Sequence, residues 1–139
     1  MSPAARLALT SSGFFLLAGL ATGVWKYRRI RTSPDHRAPL YVDIAHRAAL
    51  LYSFAALVMM QLVEYSPYSN AVQLWATAVP IFFFAAAIAS YVYHGFLEDT
   101  ENQLAEANLL STWGMALLIA GEIGGVAVLF WGFVSTQVL

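Results

Sequence analysis

The chain has 139 residues, of which 60% are hydrophobic and only 11% are charged, with a net charge of −1 and no cysteine. Because soluble domains carry about 25% charged residues, this composition predicts an integral membrane protein that lies in a lipid bilayer and has no nucleic-acid partner. The lack of cysteine excludes disulfides, thiolate metal sites and cysteine nucleophiles.

Four apolar stretches are long enough to cross a bilayer, since a spanning helix needs about 20 apolar residues. They lie near residues 5–25, 44–65, 71–93 and 108–134. We therefore predict an all-α fold, an integral membrane four-helix bundle, in which residues 1–139 form a single four-span transmembrane domain.

The first span is followed by a basic loop. Its basic residues are Lys26, Arg28, Arg29, Arg31 and Arg37. The positive-inside rule predicts that the loop 26–43 is cytoplasmic, and the acidic loop 94–107 then lies on the same side of a cell inner membrane. The two loops carry opposite charges, so they either pair with each other or remain a solvated surface with weak ion pairs.

Small-residue pairs occur in the first and the last span, as Gly19-xxx-Gly23 and Gly121-xxx-Gly125. Such pairs let two helices approach closely. They predict close packing within one bundle or, as the alternative, a contact between protomers. Pro80 predicts a kink in the third span.

A histidine stands at the start of the second span. Neutral imidazole is a common ligand of haem iron, so His46 is a candidate metal ligand, and Asp43 on the same helical face is a candidate to orient its ring. Alternatively, His46 hydrogen-bonds to the acidic loop, and Asp43 pairs with Arg47 at i,i+4. His94 is expected at a similar depth. It is either a second candidate cofactor ligand or, as for His46, an interfacial histidine that hydrogen-bonds to the acidic loop.

Further polar residues recur at helical spacing, which gives each of the last three spans a polar stripe. The stripe of the second span continues through Ser53, Gln61 and Glu64, and that of the third contains Gln73, Thr77 and Tyr91. In lipid such stripes are expected to turn inward. They provide either hydrogen bonds between helices or the walls of a pocket.

Glu122 lies near the middle of the last span. A charged group at this depth costs about 2.5–3.5 kcal/mol. Three roles are open: a neutral hydrogen-bonding group, part of a ligand cavity, or a proton carrier in coupled transport. Helix rise places it roughly 13 Å in depth from His46. Before this span, residues 100–103 match a capping box and predict the start of the fourth helix.

Three features together resemble a known family. They are the glycine- and leucine-rich residues 13–23, the pair Ala45-His46 at the start of the second span, and the apolar run at residues 129–133. In these features and in its length, the chain resembles small bacterial four-span membrane proteins of the styrene oxide isomerase and hydroxylaminobenzene mutase type.

The resemblance implies a haem b protein that assembles as a homo-oligomer, a trimer. In this family the histidine that matches His46 binds ferric iron, which acts as a Lewis acid on the epoxide oxygen. The resemblance also implies a catalytic tyrosine late in the third span, either Tyr91 or Tyr93. The family's asparagine six residues after the histidine is Tyr52 here, and Arg47 replaces the usual acidic residue of the mutase branch.

Three hypotheses of different classes follow. The first is a membrane isomerase or mutase that rearranges a small apolar epoxide or aromatic substrate. Its catalytic residues would be Tyr52, Tyr91 and Tyr93, and its cofactor-binding residues would be His46, Asp43 and His94. The second is a small accessory subunit, with or without haem, of a larger membrane complex. The third is a proton-coupled transporter that uses Glu122 and Glu64.

Overall fold

The computed structural model describes residues 1–102 and 109–139, with the side chains of the last helix described from residue 112. The helices in this part of the chain are α1 (Pro3–Thr32), α2 (Leu40–Glu64), α3 (Asn70–Leu97) and α4 (Leu109–Gln137). Each of them contains a segment long and apolar enough to cross a bilayer. The structure therefore confirms the predicted all-α membrane bundle of four helices.

The helix ends depart from the predicted spans at the loops. α1 continues to Thr32, through basic residues beyond the apolar stretch, because Lys and Arg are good helix formers in water as well. Residues Thr100 to Asn102 lie outside a helix, where Asn102 N donates to Thr100 Oγ1 at 3.0 Å. The rest of the predicted start of the fourth helix, residues 103–108, lies outside the described residues.

α1 and α2 form the most extensive helix pair, and small residues line the seam between them. The fully buried members of this seam are Ala4, Ala5, Ala8, Ala45, Ala49 and Ala56. A Cβ placed on Gly19 would lie 2.6 Å from Leu50 Cδ2, so this glycine sets the closest approach. Ser12 Oγ also donates to Ser53 O across the seam at 2.8 Å.

The second glycine pair brings α4 against α3. A Cβ on Gly125 would lie 2.5 Å from both Ala76 O and Pro80 Cγ, and one on Gly121 would lie 2.6 Å from Phe83 Cε2. α3 continues through Pro80 as one helix, although the proline has no N–H to donate to the Ala76 carbonyl. Both glycine pairs thus serve close packing within one bundle, the first of the two predicted uses.

α4 is the outermost helix of the described bundle. It packs mainly on α3 and less on α2, and the described residues of α1 and α4 make no contact. Only 11% of its most apolar window is buried, compared with 39% for α3. Most of α4 is therefore available to lipid or to another protein chain.

The polar stripes turn inward only in part. Ser53, Gln73 and Thr77 are buried, as predicted. Gln61 and Glu64 are exposed instead, although Val63 in the same turn is buried. The inward prediction is therefore wrong for these two residues.

Candidate functional site

His46 is held between α2 and α1 by a hydrogen bond to the backbone. Its Nδ1 lies 2.8 Å from Gly19 O. Since a carbonyl oxygen can only accept, Nδ1 carries the proton and, in the neutral ring, Nε2 keeps a lone pair. Gly23 provides the space for the ring, because a Cβ at this position would lie 2.9 Å from His46 Cε1.

Asp43 lies one turn before His46 and bridges two cations. Its Oδ1 lies 2.5 Å from Lys26 Nζ on α1, and its Oδ2 lies 3.0 Å from Arg47 Nη2 at i,i+4. The pairing with Arg47 was one of the predicted alternatives and is confirmed. His46 Nδ1 donates the hydrogen bond that fixes the ring to Gly19 O, so a backbone carbonyl takes the orienting role predicted for Asp43.

His94 lies at the same end of the bundle as Lys26 and Asp43, which we call the basic end. Its Nδ1 lies 2.9 Å from Asp99 Oδ1, and its ring centroid lies 5.4 Å from that of Tyr41. It lines a cavity of about 650 Å³ between the first and third connections. Arg29 and Glu98 form an ion pair at this cavity, and both side chains are exposed to solvent. The pair fits either predicted alternative, pairing of the two loops or a solvated surface with weak ion pairs.

The His94–Asp99 contact makes stability depend on pH in the acidic range. The hydrogen bond from His94 lowers the pKa of Asp99 below its ordinary value. A lowered carboxyl pKa stabilises the fold above the ordinary value of about 3.9, and this contribution is lost as the pH falls through the lowered value. We expect Asp99→Asn to remove this part of the pH dependence of the melting temperature, whereas Glu101→Gln retains it. Identical profiles for wild type and Asp99→Asn would contradict the prediction.

Tyr52 and Tyr91 lie together on the other side of α2. Both line a cavity of about 260 Å³, which is otherwise formed by Ile44, Arg47, Ala48 and Leu51. Tyr52 stacks on Phe84 with ring centroids 4.2 Å apart and an interplanar angle of 11°. Tyr93, by contrast, is 60% exposed, so of the two third-span tyrosines only Tyr91 faces this cavity.

Glu122 belongs to the same region as the two tyrosines. Gly121 beside it packs against Phe83, the neighbour of the Phe84 ring on which Tyr52 stacks. Its Oε1 is buried and has no hydrogen-bond partner among the described residues. Sequence reasoning missed this association, although the flanking Gly121 was a signal that this face of α4 packs on another helix. Glu64 is the last residue of α2 and is exposed, far along that helix from Tyr52.

The structure thus sorts the candidate residues into two groups on different faces of α2. His46 faces α1, where it meets Gly19 and Gly23. Tyr52 faces α3, where it meets Phe84.

In its hydrogen bonding, His46 fits a residue that would hold haem iron. Its Nδ1 is occupied by a backbone carbonyl, which is the usual second contact of a metal-binding histidine. The described residues contain no group of three or more side chains that could hold a bare metal ion. Haem iron does not need such a group, because the porphyrin supplies its equatorial ligands and the protein adds only axial ones.

Comparison with known protein families, with curated proteins and with solved structures finds no match to this chain.

Proposed function

We propose that this protein is a membrane isomerase or mutase that rearranges a small apolar epoxide or aromatic substrate, with haem b held by His46. The observation that carries the proposal is the hydrogen bond between His46 Nδ1 and Gly19 O. It leaves Nε2 of the neutral imidazole as the atom that binds iron. The residues that carry the family resemblance include this histidine.

The residues around His46 would hold the cofactor in a defined orientation. Gly19 O fixes the tautomer and the plane of the ring, and Gly23 leaves room for it. Ferric haem, when bound, supplies a Lewis acid for the substrate oxygen. Asp43 offsets one of the two positive charges of Lys26 and Arg47 near this end of the helix, which reduces the positive charge close to His46.

The tyrosine cavity suits the substrate. Tyr52 and Tyr91 offer hydroxyl groups to its oxygen, while Ile44, Ala48 and Leu51 provide an apolar wall. Leu51 is 68% exposed, so an apolar molecule in the bilayer reaches the cavity from the side. A site with little water favours an intramolecular rearrangement, which needs neither water nor a second reactant.

A homo-oligomer, a trimer by resemblance, would bring the two groups together. Because His46 faces α1 and Tyr52 faces α3, we propose that one protomer supplies the histidine and the next protomer the cavity. We also propose that the basic end faces the cytoplasm of a bacterial cell, as the positive-inside rule predicts.

Absorption spectroscopy tests the haem assignment. We expect protein purified in mild detergent from haem-replete cells to show a Soret band, and His46→Ala to lose it. His94→Ala is the matched control, since it removes the other candidate imidazole at the same end and should retain the band. Size-exclusion elution like that of the wild type verifies that both variants are folded.

The result that overturns the haem assignment is the lack of a Soret band in the folded wild-type protein. Co-purification with other subunits, together with instability of the isolated chain, would favour the accessory-subunit hypothesis instead.

A further inference from the structure

One charged side chain lies at the wall of the cavity between α2 and α3. The α2 side of this cavity consists of residues spaced three or four positions apart, which share one face of a helix. These residues are Ile44, Arg47, Ala48 and Leu51. Three of them are apolar, so Arg47 is the only charged group among the described residues that line the cavity.

The guanidinium group of Arg47 is held in place from its own helix. Its Nη2 lies 3.0 Å from Asp43 Oδ2, one turn earlier, and Asp43 is held in turn by Lys26 of α1. Asp43 is the only ion-pair partner of Arg47 in the described part of the chain, and it leaves most of the five guanidinium N–H groups for another acceptor. Because a guanidinium group has no lone pair to offer a donor, only an acceptor can satisfy them.

We propose that Arg47 is a specificity-determining residue of this cavity, and that the ligand is a neutral single-ring aromatic molecule whose oxygen accepts hydrogen bonds, as an epoxide or a ketone does. Arg47 donates to this oxygen from α2, and the hydroxyl groups of Tyr52 and Tyr91 donate to it beside the apolar wall. An analogue with a carbon group in place of the oxygen leaves these donors without a partner and therefore binds more weakly.

The access to the cavity favours a neutral ligand over an anionic one. Leu51 at its wall is 68% exposed, so the ligand reaches Arg47 from the apolar part of the bilayer. A carboxylate would have to leave water before it entered by this route, which is costly, whereas a neutral epoxide or ketone partitions into lipid.

The size of the cavity agrees with this ligand class. Its volume of about 260 Å³ lies just below the usual range of ligand pockets, which run from about 300 to 1,000 Å³. It therefore suits one aromatic ring with a substituent of two carbon atoms and an oxygen.

This inference rests on the proposed function in treating the cavity as the substrate site, and it narrows the substrate to an aromatic molecule with an acceptor oxygen. Binding itself does not require haem, because His46 faces α1, whereas α2 and α3 form the cavity.

Two probes of the same shape test the selectivity. Isothermal titration of the purified full-length protein in detergent would compare acetophenone with α-methylstyrene, in which a CH₂ group replaces the carbonyl oxygen. We expect the wild type to bind the ketone about tenfold more tightly, the equivalent of one hydrogen bond from a charged donor. Arg47→Met keeps an unbranched side chain without donors and should reduce this ratio to about twofold or less.

Arg28→Met is the matched control. Arg28 is exposed on α1 at the same end of the bundle and is not among the residues that line the cavity, so the ratio should equal that of the wild type. A purely structural role for Arg47 would weaken both probes equally and leave their ratio unchanged.

The double variant Tyr52→Phe, Tyr91→Phe tests the role of Arg47 even if Arg47→Met does not fold. It keeps both rings and Arg47, and charged donors form hydrogen bonds roughly twice as strong as neutral ones. The double variant should therefore retain a preference for the ketone of about fivefold or more. Loss of the preference in this variant would assign the selectivity to the tyrosines and overturn the role of Arg47.

Equal affinity of the wild type for the two probes, or no binding of either, would overturn the inference, and so would an unchanged ratio in folded Arg47→Met. The haem assignment fails separately. A protein that prefers the ketone but shows no Soret band retains this site and loses the proposed cofactor, whereas a Soret band without the preference retains the cofactor and loses this site.

Discussion

Gly125→Val is expected to lower the free energy of unfolding by about 3 kcal/mol, the upper part of the range for overpacked sites. A Cβ at this position would lie 2.5 Å from Ala76 O and from Pro80 Cγ. Neither neighbour is the end of a flexible side chain, because one is backbone and the other belongs to a rigid ring. α4 must therefore move away from α3 to make room, which removes the contact along the whole pair.

The neighbouring glycine provides the control for this substitution. Gly124 lies in the same helix, and a Cβ there would meet nothing within 4 Å, so Gly124→Val should change stability by no more than about 0.5 kcal/mol. Thermal unfolding of both variants in one detergent, followed by circular dichroism, measures the difference. Equal stability of the two variants would contradict the close contact between Gly125 of α4 and Pro80 of α3.

Gly23→Val is expected to decrease haem binding more than about tenfold, which corresponds to about 1.4 kcal/mol. A Cβ on Gly23 would lie 2.9 Å from His46 Cε1 and 3.1 Å from its Nδ1. The ring must then rotate, and it loses the hydrogen bond to Gly19 O that sets its tautomer. Because Nε2 is no longer presented in a fixed direction, His46 would hold haem iron less tightly.

Gly13→Val serves as the control for α1, since a Cβ at Gly13 would meet nothing within 4 Å. The haem content per protein, from the Soret and the protein absorbance, should match the wild type in Gly13→Val and fall in Gly23→Val. A haem content in Gly23→Val as high as in the control would mean that the iron is not bound by His46 in this orientation.

Glycine spacing predicted that the first and last helices pack closely, but it left the partner open. A pair of small residues four positions apart looks the same whether it meets a helix of its own chain or of another protomer. The partners are Leu50 and His46 for the first pair, and Pro80 and Phe83 for the second. They become known only when the helices are placed in three dimensions.

Only some of the contacts around His46 could be predicted from the sequence. The Asp43–Arg47 pair follows from i,i+4 spacing within one helix. The Lys26–Asp43 pair and the Gly19 carbonyl acceptor both cross between helices. Residue spacing within α2 cannot predict these two contacts. A backbone acceptor is also independent of residue type, so the sequence does not indicate it.

The association of Glu122 with Tyr52 and Tyr91 was missed for a similar reason. The three residues come from three different helices, and depth alone placed Glu122 away from His46 without indicating what lay near it. The sequence did indicate that this face of α4 contacts protein, because Glu122 lies between Gly121 and Gly125. Which residues of α2 and α3 lie near Glu122 depends on the relative heights of the helices, which no pattern within one helix contains.

The proline in α3 has a consequence for how the protein enters the membrane. If α3 entered the bilayer without α4, the Ala76 carbonyl would face hydrocarbon, and Pro80 has no N–H to donate to it. This is costly because lipid offers no hydrogen bond in exchange. Gly125 brings the backbone of α4 directly against that carbonyl and so shields it from the acyl chains. Biogenesis is therefore expected to favour release of α3 and α4 into the bilayer as a hairpin rather than one at a time.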